Sequence, residues 1–150
     1  MARCPTTAPV GPAARELLAT SRRGLRDAAH ADRPADRFAG AHLAALRAAA
    51  AVLAARARPS GSRRRPSSVW SLLPAVAPEL AEWSAFFAAG AAKRAAAEAG
   101  LEHVVSSREA DDLLREAGTF LVLVERSLGL DAASALRRPG VGLTLDLRTG

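Results

Sequence analysis

Apolar residues recur at helical spacing along most of the chain and mark five runs. From Pro12 to about Ala31, positions Ala14, Leu17, Leu18, Ser21, Leu25 and Ala28 fall on one side, with Arg22, Arg23 and Arg26 flanking it. A second helix is expected from Pro34, a residue suited to the first turn, to about Ala57. Its inner stripe would be Phe38, His42, Leu46, Ala49 and Leu53, with Asp36 near the positive end of the helix dipole. Arg58 to Ser68 breaks the pattern with two Pro, a Gly and four Arg, and reads as a loop. A short helix through Val69, Trp70, Leu72 and Leu73 follows, capped by Ser67 or Ser68 and interrupted by Pro74 and Pro78. A longer one runs from about Glu79 to Ala99 and is stopped by Gly100; Leu80, Trp83, Phe87 and Gly90 mark its inner face. The clearest period belongs to the last helix. Ser106 and Glu109 form a capping box ahead of Ala110, Leu113, Leu114, Ala117, Phe120, Leu121, Val124 and Leu128. Val122 and Leu123 lie on its opposite, charged side and are candidates for a second contact surface. After Gly129, Val141, Leu143, Leu145 and Leu147 alternate with Gly142, Thr144 and Asp146, a strand pattern with no second strand to join.

Composition strengthens the helical reading. The 150 residues include 37 Ala and 20 Arg, four Phe and no Ile or Tyr, which suits helices and leaves little from which to build a sheet. The length fits one domain, with residues 1–11 a disordered leader, 12–129 the bundle, and 130–150 a tail that is frayed or pairs with another copy. Avoidance of residues with AT-rich codons points to a GC-rich bacterial genome, so Arg is cheap here and its count must be discounted. The formal charge of +6 is uneven: residues 1–66 hold 13 basic and 4 acidic side chains, the remainder 8 and 11. Cys4 is the only cysteine, which excludes an internal disulfide and a cysteine-based zinc site; three scattered His offer no metal spacing. The longest apolar run, Ala48 to Ala55, is too short to span a bilayer, so a cytoplasmic protein without membrane attachment is expected. Phosphate loops of the G-x-x-x-x-G-K type, H-E-x-x-H and G-x-S-x-G are absent, which argues against P-loop kinases, zinc peptidases and α/β-hydrolases.

The stretches DRFAGAHLAALRAAAAVLAARA, SSVWSLLPAVAPELAEWSAFF and READDLLREAGTFLVLVERSLG together resemble the HEPN superfamily (higher eukaryotes and prokaryotes nucleotide-binding), most closely its small single-domain actinobacterial branch. The resemblance covers about residues 13–129. It implies an all-α, up-and-down bundle of four to five helices that forms a homodimer and needs no cofactor. Many members are metal-independent ribonucleases with an Arg followed four to six residues later by His at the dimer interface. Others are inactive and bind RNA, or partner small nucleotidyltransferases as in toxin–antitoxin pairs.

Two matches to that spacing occur, Arg37 with His42 and Arg23 with His30, and the first is the catalytic candidate. The chemistry suits: His supplies a proton-transfer group near neutral pH, and Arg a cation for the phosphate as charge develops. Positions five apart on a helix point about 140° away from each other, however, so convergence on one phosphate requires a second protomer or a long Arg reach. The plain alternative is that His42 is a core histidine among Phe38, Leu46 and Leu53. Arg56, Arg58, Arg63, Arg64 and Arg65 form a basic cluster suited to RNA phosphates, or merely a solvated loop. Three functions stay open: an RNA- or nucleotide-associated binding module, a metal-independent endoribonuclease, and a structural dimerisation bundle.

Overall fold

The computed structural model describes residues 9–56, 68–101 and 103–130, and every regular element among them is helical. Helix α1 (Pro12–Ala29) is followed by α2 (Pro34–Arg56), α3 (Val69–Val76), a single 3-10 turn (Pro78–Leu80), α4 (Ala81–Glu98) and α5 (Ser107–Ser127). The expected long helix from Glu79 therefore begins as a 3-10 turn. The leader to residue 8, the segment 57–67 and the tail from 131 lie outside the described residues.

Local chemistry sets the helix ends. Pro12 opens α1, and Ser68 caps α3 by accepting from the Ser71 amide. Ser106 accepts from the Glu109 amide at 3.0 Å, half of the expected capping box; the Glu109 carboxylate instead takes the Lys93 ammonium at 2.9 Å. After α4 and α5 the chain reverses through Gly100 and Gly129, both at positive φ, where a Cβ would be strained. Leu101 and Leu130 then donate back to the carbonyls of Ala96 and Glu125.

Pro74 sits inside α3 instead of ending it. Proline has no N–H for the carbonyl four residues earlier, which frees Trp70 O in the interior. The Ser84 hydroxyl of α4, itself buried, donates to that oxygen. A backbone defect in one helix is thus answered by a side chain of the next.

Helix α2 packs against α1, α3, α4 and α5. Its buried positions Ala41, Ala44, Ala45, Ala48, Ala49, Ala51 and Val52 nearly encircle it, and Leu46 and Leu53, expected on the inner stripe, are only half-buried. Alanine makes this possible, because short side chains let neighbours approach from several directions at once. A Cβ on Gly40 would lie 3.0 Å from the Ala28 Cβ, so α1 and α2 meet almost backbone to backbone there, and Ser21 Oγ donates to Ala44 O at 2.7 Å across the same seam. By length and apolarity α2 would also suffice to cross a membrane, and half of that stretch is buried inside the bundle, as in a core helix. On the opposite side from α1, bulk comes from aromatics: Trp70 stacks on Phe87 at 5.1 Å, and Phe120 of α5 meets Phe87 at 5.1 Å. The stripe of α5 is buried as its period requires, including Leu113, Ala117, Phe120, Leu121 and Val124.

Candidate functional site

His42 projects from the middle of α2 into that aromatic cluster and has no solvent-accessible surface. Its ring meets Trp70 and Phe87 edge-on, each at 5.9 Å between centroids. Nε2 lies 2.8 Å from the Phe87 carbonyl oxygen. A carbonyl can only accept, so Nε2 carries the proton and Nδ1 is the lone-pair nitrogen. That Nδ1 is buried and without a hydrogen-bond partner among the described residues. Burial lowers the pKa from its ordinary 6.5 and outweighs the Phe87 carbonyl, which favours the cation; nearby Arg94 lowers it further and Glu98 opposes that. The shift favours the neutral imidazole at this buried position. Gly90 of α4 lets the helices settle this closely, since a Cβ there would stand 3.4 Å from the His42 ring and 3.9 Å from Phe38.

Arg37 points elsewhere. Its guanidinium donates to Asp111 Oδ1 of α5 at 2.9 Å and to the Ala31 carbonyl at 3.1 Å, tying α2 to α5 and to the α1–α2 turn. Arg37 and His42 therefore engage different helices and are not brought together within one chain, as the 140° divergence requires. The other match is no tighter: Arg23 pairs with Glu16 at 3.8 Å and with Thr20, while exposed His30 follows the last turn of α1.

Of the basic cluster, only Arg56 falls among the described residues. Instead of facing solvent as a phosphate contact, it clamps a junction: Nη1 pairs with Glu79, and Nη2 donates to the Ser127 carbonyl at 3.0 Å and hydroxyl at 2.8 Å. Burial raises the pKa of Glu79, but hydrogen bonds from Arg56, its own amide and Ser127, with the Arg56 charge, outweigh this and lower it from 4.5. Arg58, Arg63, Arg64 and Arg65 lie outside the described residues. Sequence reasoning missed the clamp because nothing in the spelling RARPSGSRRR separates Arg56, still helical, from the four arginines after it.

One surface feature also escaped the sequence. Phe86, one position before the core residue Phe87, is 47% exposed and helps wall a cavity of about 510 Å3 between α2, α4 and α5. On the outer side of α5, Val122 is 50% exposed and Leu123 half-buried, on the face the sequence pattern assigns them. Among the described residues no group of three or more His, Cys, Asp or Glu is placed to hold a metal ion.

A family model described as SAV_6107-like HEPN matches residues 28–125, about two-thirds of the chain. No curated protein and no solved structure matches it.

Proposed function

Since the chain belongs to the SAV_6107-like HEPN family, we propose that it acts as a non-catalytic, RNA- or nucleotide-associated binding module. One observation carries the reading: His42, the only histidine of the Arg37 motif, is sealed in the core with its proton committed to Phe87 O. A proton-transfer catalyst must reach the atom it protonates, directly or through one water. Neither nitrogen of His42 has such a route. Arg37, with both ends of its guanidinium engaged, serves helix packing in this reading.

Affinity for RNA would then rest on phosphate neutralisation by Arg58, Arg63, Arg64 and Arg65, a sequence-independent and salt-dependent mode. The module works as a homodimer in this proposal, with Val122 and Leu123 as the supporting surface. The test is fluorescence anisotropy of a labelled single-stranded RNA at 50 to 200 mM salt, with a cleavage assay in EDTA alongside. We expect intact RNA and binding that weakens with salt. Replacing the four arginines by Ser should flatten the log–log salt slope by up to about 3, at roughly 0.7 per single-strand phosphate contact. Cleavage in EDTA abolished by Arg37→Ala would establish the ribonuclease instead; absence of RNA binding would leave a structural bundle.

A further inference from the structure

The cavity between α2, α4 and α5 has the size of a small-molecule site, which typically spans about 300 to 1,000 Å3. Five of its ten lining residues are apolar or glycine and five are charged. Phe38 of α2, Phe86 of α4 and Leu113 of α5 face it across the small residues Ala89 and Gly90. Phe86 packs edge-on against Trp83 and Phe87, yet keeps nearly half its surface in solvent. An aromatic side chain held rigid by two others and left half-exposed is an expensive way to line a surface that touches nothing.

The rim charges do not cancel. Lys93 donates to Glu109 at 2.9 Å across the cavity mouth, and Arg115 is paired with Asp112 on its own helix. Both cations are thereby matched by carboxylates. Glu116, which also lines the cavity, has no hydrogen-bond or ionic partner among the described residues. The result is an aromatic and aliphatic hollow carrying one uncompensated negative charge.

We propose that this cavity binds an organic cation with an aromatic body, of the arylalkylamine class. The ring would lie against Phe38, Phe86 and Leu113, and the ammonium would meet Glu116, with the face of Phe86 adding cation–π attraction. An aromatic anion of the same size would place its charge beside Glu116 with no free cation to receive it. The proposal does not rest on the RNA reading, since no residue of the cavity belongs to the arginine cluster and a phosphate chain would be repelled by Glu116.

The experiment titrates the full-length protein with 2-phenylethylamine and, separately, with 3-phenylpropionate, following backbone amide shifts by NMR. The amine should bind with a dissociation constant on the order of 1 mM, as suits so small a ligand, and shift Phe86, Ala89, Gly90 and Glu116. The propionate should bind at least about tenfold more weakly. Glu116→Gln, which keeps the side chain's shape, should weaken the amine about tenfold and erase the preference over the propionate; Phe86→Ala should weaken both ligands. Both side chains are exposed, so these variants are expected to fold, and their amide spectra will report it. Equal affinity for the two ligands, an unchanged constant in Glu116→Gln, shifts confined to other surfaces, or no binding at 10 mM amine would each overturn the proposal. Because RNA binding is read separately, it can fail or succeed without deciding this one.

Discussion

Replacing His42 by Leu separates the core role of this histidine from a catalytic one. At pH 8 the substitution removes the bond to Phe87 O, worth about 0.5 to 1.5 kcal/mol net, and also removes an unpaired buried Nδ1 whose desolvation costs about 1 to 3 kcal/mol. Phe87 O lies inside α4 and keeps its helical partner, so no new orphan forms. The variant should therefore lie between about 0.5 kcal/mol below and about 2.5 kcal/mol above the parent in stability. Acid should separate them. The folded pKa of His42 is depressed below 6.5, so below pH 6.5 the unfolded chain binds more protons than the folded one, and stability falls as pH falls toward the folded pKa. One proton gives a slope of at most about 1.4 kcal/mol per pH unit, a ceiling of about 2 kcal/mol between pH 6.5 and 5. The charges that modulate this are Arg94 and Glu98 of α4. The depressed Glu79 acts in its own window below 4.5, common to both proteins. Urea denaturation at pH 8, 7, 6 and 5 provides the assay: the Leu variant should gain on the parent only below about 6.5. Parallel stability curves, or a parent that gains on acidification, would show that the imidazole is not held neutral in the core.

Two further perturbations probe how the helices meet. Ser84→Ala should cost about 1 to 3 kcal/mol by orphaning Trp70 O, and Pro74→Ala in the same chain, by restoring the missing N–H, should return most of it in a double-mutant cycle measured by chemical denaturation. Gly40→Ala should destabilise by about 1 to 3 kcal/mol of overpacking, less roughly 1 kcal/mol of helix propensity, because its Cβ would meet Ala28 at 3.0 Å; adding Ala28→Gly should relieve the clash, whereas Gly118→Ala, with nothing within 4 Å, should raise the melting temperature.

The helices are legible where side chains differ sharply in polarity. In α5 the Ser106 cap, the glycine stop and the stripe from Leu113 to Val124 all point the same way, and the structure follows them. In α2 they do not differ, because nine of its residues from Ala41 to Ala55 are alanine, which sits equally well inside a bundle or on its surface. Leu46 and Leu53 attract the reading as the largest apolar residues, yet the faces that pack most closely are those with the smallest. Pro74 reads as an interruption because its remedy, Ser84, lies ten residues on, in another helix. The pairing of Arg37 with Asp111, 74 residues away, and of Arg56 with Glu79 and Ser127 carries no local signal at all.

In the proposed reading, the same packing accounts for the Arg37–His42 spacing without catalysis. The alanine faces of α2 bring α1 and part of α5 close, while the aromatic side must fill the wider space between α2, α3 and α4. At that position a flat ring is needed that is narrow enough to pass Gly90 and edge onto Trp70 and Phe87, and an imidazole meets the requirement while donating to Phe87 O. Five residues earlier, at the helix margin, a long cation is needed to reach Asp111 and the Ala31 carbonyl. In that reading, two unrelated packing demands produce an Arg and a His at motif distance. Among the described residues, open chemistry lies instead at the margins of the fold: the half-exposed Phe86 and the Glu116 carboxylate, which has no partner there.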